Sequence, residues 1–190
     1  MYRSRDIVIS LLLLFIFAIP MIVISIYLFS IFGKKVIFKD LRMGLQGKEF
    51  ICYKFKTMYD VAAPQNSPLL RLSERRIIKF GRFLRRHRLD ELPQLFNVLH
   101  GSLSLVGPRP EQKHLSDQYL KNIANFGLRH SVHPGLTGFA QINQGHVEGE
   151  DETKIKLALD LYYIEKRSFL FDLEIILKTV SIVITGKGGK

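Results

Sequence analysis

The stretch IVISLLLLFIFAIPMIVISIYLFSIF, Ile7 to Phe32, decides how the rest of this chain is read. It is apolar almost throughout, is interrupted near its middle by Pro20, and has Arg3 and Arg5 before it and Lys34 and Lys35 after it. About 20 apolar residues suffice to cross a bilayer core, so length alone permits a single span. Basic flanks favour the cytoplasmic side, and here both ends carry them. That conflict points to a re-entrant helix that bends at Ile19-Pro20 and returns to the face it left, with a kinked single span as the alternative. Proline removes a backbone donor and clashes with the preceding turn, and Ser25 with neighbouring protein is expected to satisfy the freed carbonyls. A secretory signal fits poorly, because its apolar region runs about 7–15 residues and ends at a small-residue cleavage site. Here a longer stretch ends in Gly33-Lys34-Lys35.

With residues 1–33 given to lipid, residues 34–190 are of a size for one modest domain. The formal charge of +11, from 28 Lys and Arg against 17 Asp and Glu, suits anionic headgroups, a phosphorylated substrate or nucleic acid. Charge does not choose among them. A single cysteine, Cys52, excludes an intrachain disulfide and a Cys-based zinc site, and is compatible with a reducing compartment.

The pattern predicts an α+β fold, mainly helical. Val36-Ile37-Phe38 and Phe50-Ile51-Cys52-Tyr53, separated by Gly44-Leu45-Gln46-Gly47, read as a short β-hairpin. Val61 to Leu70, with Pro64, Asn66, Ser67 and Pro68, reads as a surface loop. From Ser73 to Arg88 the apolar positions Ile77, Ile78, Phe80, Phe83 and Leu84 recur at helical spacing among arginines, which gives a basic amphipathic helix. A second helix is expected from Asp90 to His100 and stopped by Gly101, with Pro93 holding Asp90 and Glu91 at or just before its N-terminus. Ser102 to Pro110 and His130 to Gly138 read as loops on either side of a polar helix from Glu111 to Asn125. Two helices close the chain, Asp151 to Lys166 and Phe169 to Ile184. The last is N-capped by Ser168 and apolar enough to be buried or to lie in a membrane interface, but too short and charged to span.

Asp90 and Glu91 adjoin each other directly after Arg82, Arg85, Arg86 and Arg88. Opposite charges within about 4–6 Å depress a carboxylate pKa, so both are expected to be strongly ionised. An ionised Asp can attack phosphorus or bind Mg²⁺; a helix cap with a salt-bridge fringe accounts for the same local sequence. Neighbours in a helix point about 100° apart, so the two carboxylates are expected to differ in role. Arg109 sits between Pro108 and Pro110, whose rings preset the backbone, which suits bidentate phosphate binding as well as a rigid turn. Lys54 and Lys56 share one side of a strand, so one lysine can serve a site while Tyr53 and Phe55 pack. The glycines around His133-Pro134-Gly135-Leu136-Thr137-Gly138 form no P-loop, and the six histidines show no HExxH spacing. No Gly-x-Ser-x-Gly elbow supports a serine hydrolase.

Taken in order, these segments resemble the bacterial sugar transferase family, the monotopic polyprenyl-phosphate phosphoglycosyl transferases. The resemblance is carried by Arg42-Met43-Gly44-Leu45-Gln46-Gly47-Lys48, Tyr53-Lys54-Phe55-Lys56-Thr57-Met58, Gly81-Arg82-Phe83-Leu84-Arg85, Leu89-Asp90-Glu91-Leu92-Pro93-Gln94-Leu95-Phe96-Asn97-Val98-Leu99, Ser104-Leu105-Val106-Gly107-Pro108-Arg109-Pro110, Pro134-Gly135-Leu136-Thr137-Gly138 and Asp160-Leu161-Tyr162-Tyr163. It implies transfer of a sugar-1-phosphate from a nucleoside diphosphate sugar, usually a UDP-sugar, to polyprenyl (undecaprenyl) phosphate, with release of UMP. It also implies Asp90 as the nucleophile of a covalent phosphosugar intermediate, with Mg²⁺ at Asp90 and Glu91. Lys54, Arg85, Arg109 and Pro110 would bind substrate, Glu91 would position the metal or assist proton transfer, and Asp160 would support the site. The implied protein has a re-entrant membrane helix, 1–33, and a catalytic domain, 34–190, with its apolar C-terminal helix at 168–184, facing the cytoplasm on the bacterial inner membrane. It resembles the short form, without the extra N-terminal spanning domain of larger relatives, and a homodimer is compatible with its apolar C-terminal helix.

Three positions depart from the family pattern. Ser102 stands where the family often has Asp, His133 where an Arg commonly precedes Pro-Gly, and Ile19 where Ser often precedes the membrane proline. The lost acid and arginine bear on local metal or phosphate contacts, and His133 introduces a group that titrates near neutrality. A non-catalytic membrane adaptor using the basic stretch Arg71 to Arg88 is the rival from another class. Nucleic-acid binding rests on net charge alone and is not expected.

Overall fold

The computed structural model describes residues 2–60, 77–144 and 149–186. The expected loop from Val61 to Leu70 lies outside them, as do residues 73–76 of the expected basic helix.

Helices α1 (Tyr2–Ile16) and α2 (Ala18–Phe32) form a pair bent by 62°. Neither is long and apolar enough to cross a membrane alone, whereas the bent pair is. The bend falls at Phe17, with φ −94° and ψ 9°, and not at Ile19-Pro20 as expected. Proline's ring collides with the carbonyl four residues earlier, here Ile16, so the helix must break before the ring and not at it. Pro20 then occupies the first turn of α2, where its missing N–H costs no intrahelical bond. Phe17 bridges the break by donating to the Leu13 carbonyl at 2.8 Å and accepting from Met21 at 2.9 Å. Ser25 donates to Met21 O at 2.7 Å inside α2 and repairs nothing at the bend. Around the apex Phe15, Ile16 and Ile19 are exposed, Phe15 by 82%.

The inner face of α1 packs Ile9, Leu13 and Leu14 on the core and carries charged groups near its start. Arg5 Nη2 lies 2.7 Å from Asp172 Oδ2, and Asp6 accepts from the Ser104 hydroxyl. Arg3 donates to the Val98 and Leu99 carbonyls, which are among the last four of helix α4 (Gln94–His100) and have no partner within it. In α2, Ile24 and Leu28 are buried with Phe55, Ile78 and Leu84 in one apolar cluster. Each such side chain contributes about 1.5–3 kcal/mol relative to exposure, enough to fix the helix against the domain.

The hairpin forms as expected. Strands β1 (Ile37–Met43) and β2 (Glu49–Phe55) pair antiparallel, with Ile37 opposite Phe55 and Met43 opposite Glu49. Helix α3 (Lys79–Arg86) begins later than its pattern indicates. Ile77 instead bridges Met58, and Ile78 is extended and donates to the Thr57 carbonyl at 3.1 Å, so the strand edge takes these two residues from the helix.

A 3₁₀ turn, Leu89–Glu91, precedes α4, with Pro93 at the helix N-cap and Gly101 at φ 91° closing it. The two stretches read as loops contain a small parallel ladder, β3 (Ser104–Val106) with β4 (Gly135–Thr137). Three-residue strands are too short for periodicity to reveal, and the glycines that suggested loops serve close backbone approach. A Cβ on Gly135 would lie 2.1 Å from Gly107 N, and one on Gly138 would lie 2.1 Å from Gly107 O.

Helix α5 (Lys113–Asn122) is shorter at both ends than expected, and a short helix α6 (Phe139–Asn143) was not anticipated. Helices α7 (Glu150–Lys166) and α8 (Phe169–Thr185) match their expected bounds to within a residue, and Ser168 accepts from Phe171 N as the N-cap. Helix α8 is two-faced. Ile175 and Asp172 are fully buried, the first in a core with Leu95, Val98, Leu103, Leu105, Val106 and Tyr163, while Leu170, Leu177 and Ile184 point outward.

Candidate active site

The site forms where the turn before α4 meets the end of β2 and the segment after β3. Asp90 and Glu91 lie in the 3₁₀ turn, both buried. The turn is entered through Arg88, a non-glycine residue held at φ 53°, a conformation that costs about 1–2 kcal/mol and persists where surrounding contacts enforce it.

Glu91 is the anchor. Its Oε1 accepts from Lys54 Nζ and from Arg109 Nη2, each at 2.6 Å, and Arg109 Nη1 lies 3.5 Å from Oε2. Burial pushes the Glu91 carboxyl up, but Arg109 and Lys54 outweigh it and hold the group well below the usual carboxylate range. Asp90 behaves differently. Among the described residues no side chain or backbone group bonds or pairs with its carboxylate. Burial raises its pKa, the adjacent Glu91 charge raises it further, and Lys54, Arg85 and Arg109 only partly offset them. This corrects the expectation that both acids are depressed. Lys54 and Arg109 are taken by Glu91, and Arg85 by Thr57 and Met58, so one carboxylate is locked while its neighbour has no bonded partner among the described residues. The two neighbouring carboxylates thus stand in different environments.

Arg85 is held beside the site, with Nε donating to Thr57 Oγ1 at 2.9 Å and Nη2 to Met58 Sδ at 3.0 Å. Of the two strand lysines Lys54 faces Glu91, whereas Lys56 turns to Asp60 at 2.6 Å and over the Phe32 ring. Pro110 supplies a carbonyl to Arg42 Nη1 at 2.6 Å, and Arg42 is clamped by Asp40, so this proline tethers the Arg109 segment to the hairpin. Asp160 lies off the dyad. It grips Arg129 at 2.7 and 3.1 Å, and Arg129 Nη2 donates to the Arg109 carbonyl at 2.8 Å, so Asp160 supports Arg109 from behind.

Replacing Asp160 with Ala removes the closest carboxylate from a buried guanidinium and leaves it Glu111 as its remaining counter-charge, and breaking such a buried pair costs up to about 3–5 kcal/mol. Thermal or denaturant unfolding in detergent should show that loss; a change below 1 kcal/mol, on the order of a surface pair, would contradict the support role.

Two contributors escaped sequence reading. Gln141 on α6 accepts through Oε1 from Arg109 Nη1 at 3.1 Å and Arg88 Nη1 at 3.3 Å. Glu111, at about 2 in pKa because Lys156 and Arg129 outweigh its burial, holds the underside of Arg129 at 3.2 Å. A lone glutamine in a Gly-rich stretch carries no local signal, and only the fold brings it to the arginines. His133 and Ser102 lie apart from the dyad: burial, with Arg167 and Arg3, lowers the His133 pKa, and Ser102 bonds Asn97 at the end of α4. Among the described residues no cluster of three or more His, Cys, Asp or Glu forms a ready-made metal cage.

Residues 1–186 match the sequence profile of the bacterial sugar transferases. The chain belongs to that family. It is 34% identical over 188 residues to the UDP-N-acetylgalactosamine-undecaprenyl-phosphate N-acetylgalactosaminephosphotransferase of Aeromonas hydrophila, a match covering 99% of this chain and 44% of the relative. It is 38% identical over 180 residues to the UDP-glucose:undecaprenyl-phosphate glucose-1-phosphate transferase of Klebsiella pneumoniae, covering 94% and 39%. An uncharacterised sugar transferase of Bacillus subtilis is 43% identical over 156 residues, covering 82% of this chain and 73% of that one. The chain thus spans less than half the length of the first two. In this bacterial sugar transferase, the dyad, Lys54 and Arg109 converge, while Pro110 and Asp160 stand one contact behind them.

Proposed function

We propose that this protein transfers a sugar-1-phosphate from a UDP-sugar to undecaprenyl phosphate, releasing UMP, at the cytoplasmic face of the bacterial inner membrane. The observation that carries the reading is Asp90, a buried carboxylate with no partner among the described residues, set beside a Glu91 locked by Lys54 and Arg109. Family membership and the relatives' names support the reaction class.

In the first half-reaction a carboxylate oxygen of Asp90 attacks the sugar-bearing phosphorus. An O–P bond forms, the bond to the UMP oxygen breaks, and UMP leaves with the electron pair. A phosphate oxygen of the polyprenyl acceptor then attacks the same phosphorus, making the lipid diphosphate bond and returning the carboxylate. Lys54, Arg85 and Arg109 offset the diphosphate charge that would otherwise repel Asp90. Glu91 keeps Lys54 and Arg109 oriented.

Mg²⁺ commonly binds through one or two carboxylates plus substrate phosphates, not in an all-protein cage. Asp90, with its unused oxygens, fits that use, and Glu91 Oε2, less tightly held than Oε1, completes the pair. When bound, the ion would neutralise diphosphate charge and improve UMP as a leaving group. Chelation of divalent metal should silence the enzyme, with recovery on adding Mg²⁺; turnover indifferent to the chelator would remove the metal from the reaction.

The bent apolar pair with its exposed apex, and the outward apolar face of α8, support re-entrant insertion that brings the dyad to headgroup depth. The testing experiment is a UMP-release screen of UDP-sugars with undecaprenyl phosphate and Mg²⁺. One or more donors should give UMP and a lipid-linked product, and silence across the panel would refute the UDP-sugar reading.

A further inference from the structure

The dyad is surrounded by more positive charge than its own carboxylates balance. Lys54, Arg88 and Arg109 all lie within 4.0 Å of Glu91 oxygens, and Arg88 Nη1, at 4.0 Å, is the most distant and too far for a hydrogen bond. Its close contact is with Gln141, whose Oε1 it shares with Arg109. Guanidinium groups donate only, so two of them converging on Gln141 fix its oxygen towards them. The Nε2 of this 94%-buried side chain is left with no partner among the described residues. One amide oxygen thereby holds two like charges close together beside the reactive carboxylate. Such a pair is unfavourable unless an anion completes it.

We propose that Arg88, held by Gln141 against Arg109, binds phosphoryl oxygens of the nucleoside diphosphate donor. The inference rests on the reading of the protein as a sugar-phosphate transferase using such a donor. Two guanidinium nitrogens that share one acceptor are near enough to grip the same phosphate group, and paired arginines match its oxygens well. The backbone supports the same conclusion. Arg88 sits at φ 53°, where glycine would be comfortable and arginine is strained, so the position carries an arginine in spite of its local conformational preference.

Arg88→Gly separates binding from folding, because it relieves the backbone while removing the charge. It should raise KM for the fastest-used UDP-sugar at least about tenfold, with a smaller fall in kcat, while Tm stays at or above that of the wild type. Arg88→Lys should recover part of the KM loss, and Arg88→Gln, which keeps the stem, should lose affinity like the glycine variant. Inorganic pyrophosphate, tested alone by thermal shift, should protect the wild type more than Arg88→Gly. An Arg88→Gly enzyme with unchanged KM and unchanged pyrophosphate protection would overturn the proposal, as would a Tm drop large enough to account for its lost activity. Should the wild type transfer no sugar phosphate at all, the functional reading fails, while the pyrophosphate comparison still decides whether Arg88 holds a diphosphate.

Discussion

Asp90→Asn is expected to reduce sugar-phosphate transfer by more than about a thousandfold, because a neutral amide cannot form the bond to phosphorus and no nearby acid is free to replace it. Glu91 is unavailable, being held by Lys54 and Arg109 at 2.6 Å. The same substitution should leave the fold intact. Asp90 bonds to nothing among the described residues, and burial together with the Glu91 charge disfavours its ionised form, so the amide removes a penalty and breaks no network. Unfolding of the variant should therefore occur at or slightly above the wild-type temperature, and its association with lipid vesicles should match the wild type. Rapid acid quench of wild-type enzyme with labelled donor should trap label on Asp90 as an acyl phosphate, absent from the variant. Full activity in Asp90→Asn would remove it as nucleophile and favour a basic membrane adaptor, which tolerates this change but not the loss of its arginines.

Glu91→Gln should be nearly as damaging to activity, and unlike Asp90→Asn it should also damage the protein. Removing one partner of a buried charge cluster typically costs about 3–5 kcal/mol, and here Lys54, Arg109 and Arg88 would face one another without their shared counter-charge. Unfolding should shift to lower temperature by several degrees, with transfer severely impaired. The pH dependence has a definite sign. Glu91's folded-state pKa lies below its unfolded value, near 4.3 in free peptides, so its stabilisation is complete above about that pH and is lost as pH falls through the lower folded value. Wild type should lose stability over that acid range, and Glu91→Gln should lose less there. A variant as stable and active as wild type at neutral pH would show that Lys54 and Arg109 need no anchor.

Much of this arrangement is visible in the residues themselves. The hairpin, α4, α7 and α8 follow from apolar spacing, from Pro93 and Gly101 as start and stop, and from Ser168 as a cap. The proximity of Lys54, Arg109 and the dyad was implied by family motifs and not by spacing, since β2, the turn before α4 and the segment after β3 are far apart in sequence. What the chain conceals is non-local. The β3–β4 ladder is too short to have a period, and Ile77 and Ile78 fit a helix pattern until Met58 and Thr57 offer a strand edge. The break at Phe17 depends on where a proline ring meets a carbonyl, one turn upstream of the proline itself. The Asp90 pKa could not be read from charge proximity, because three-dimensional contacts decide which acid receives the cations and which is merely buried beside them.

The glycine seam between β3 and β4 limits how this chain can diversify. Arg109 is two residues beyond Gly107, and at Gly107 and Gly135 the two backbones approach so closely that a single methyl group at either would force the chains apart. Variation is therefore confined to side chains around Asp90 and Glu91, since remodelling the platform beneath would displace Arg109 from Glu91.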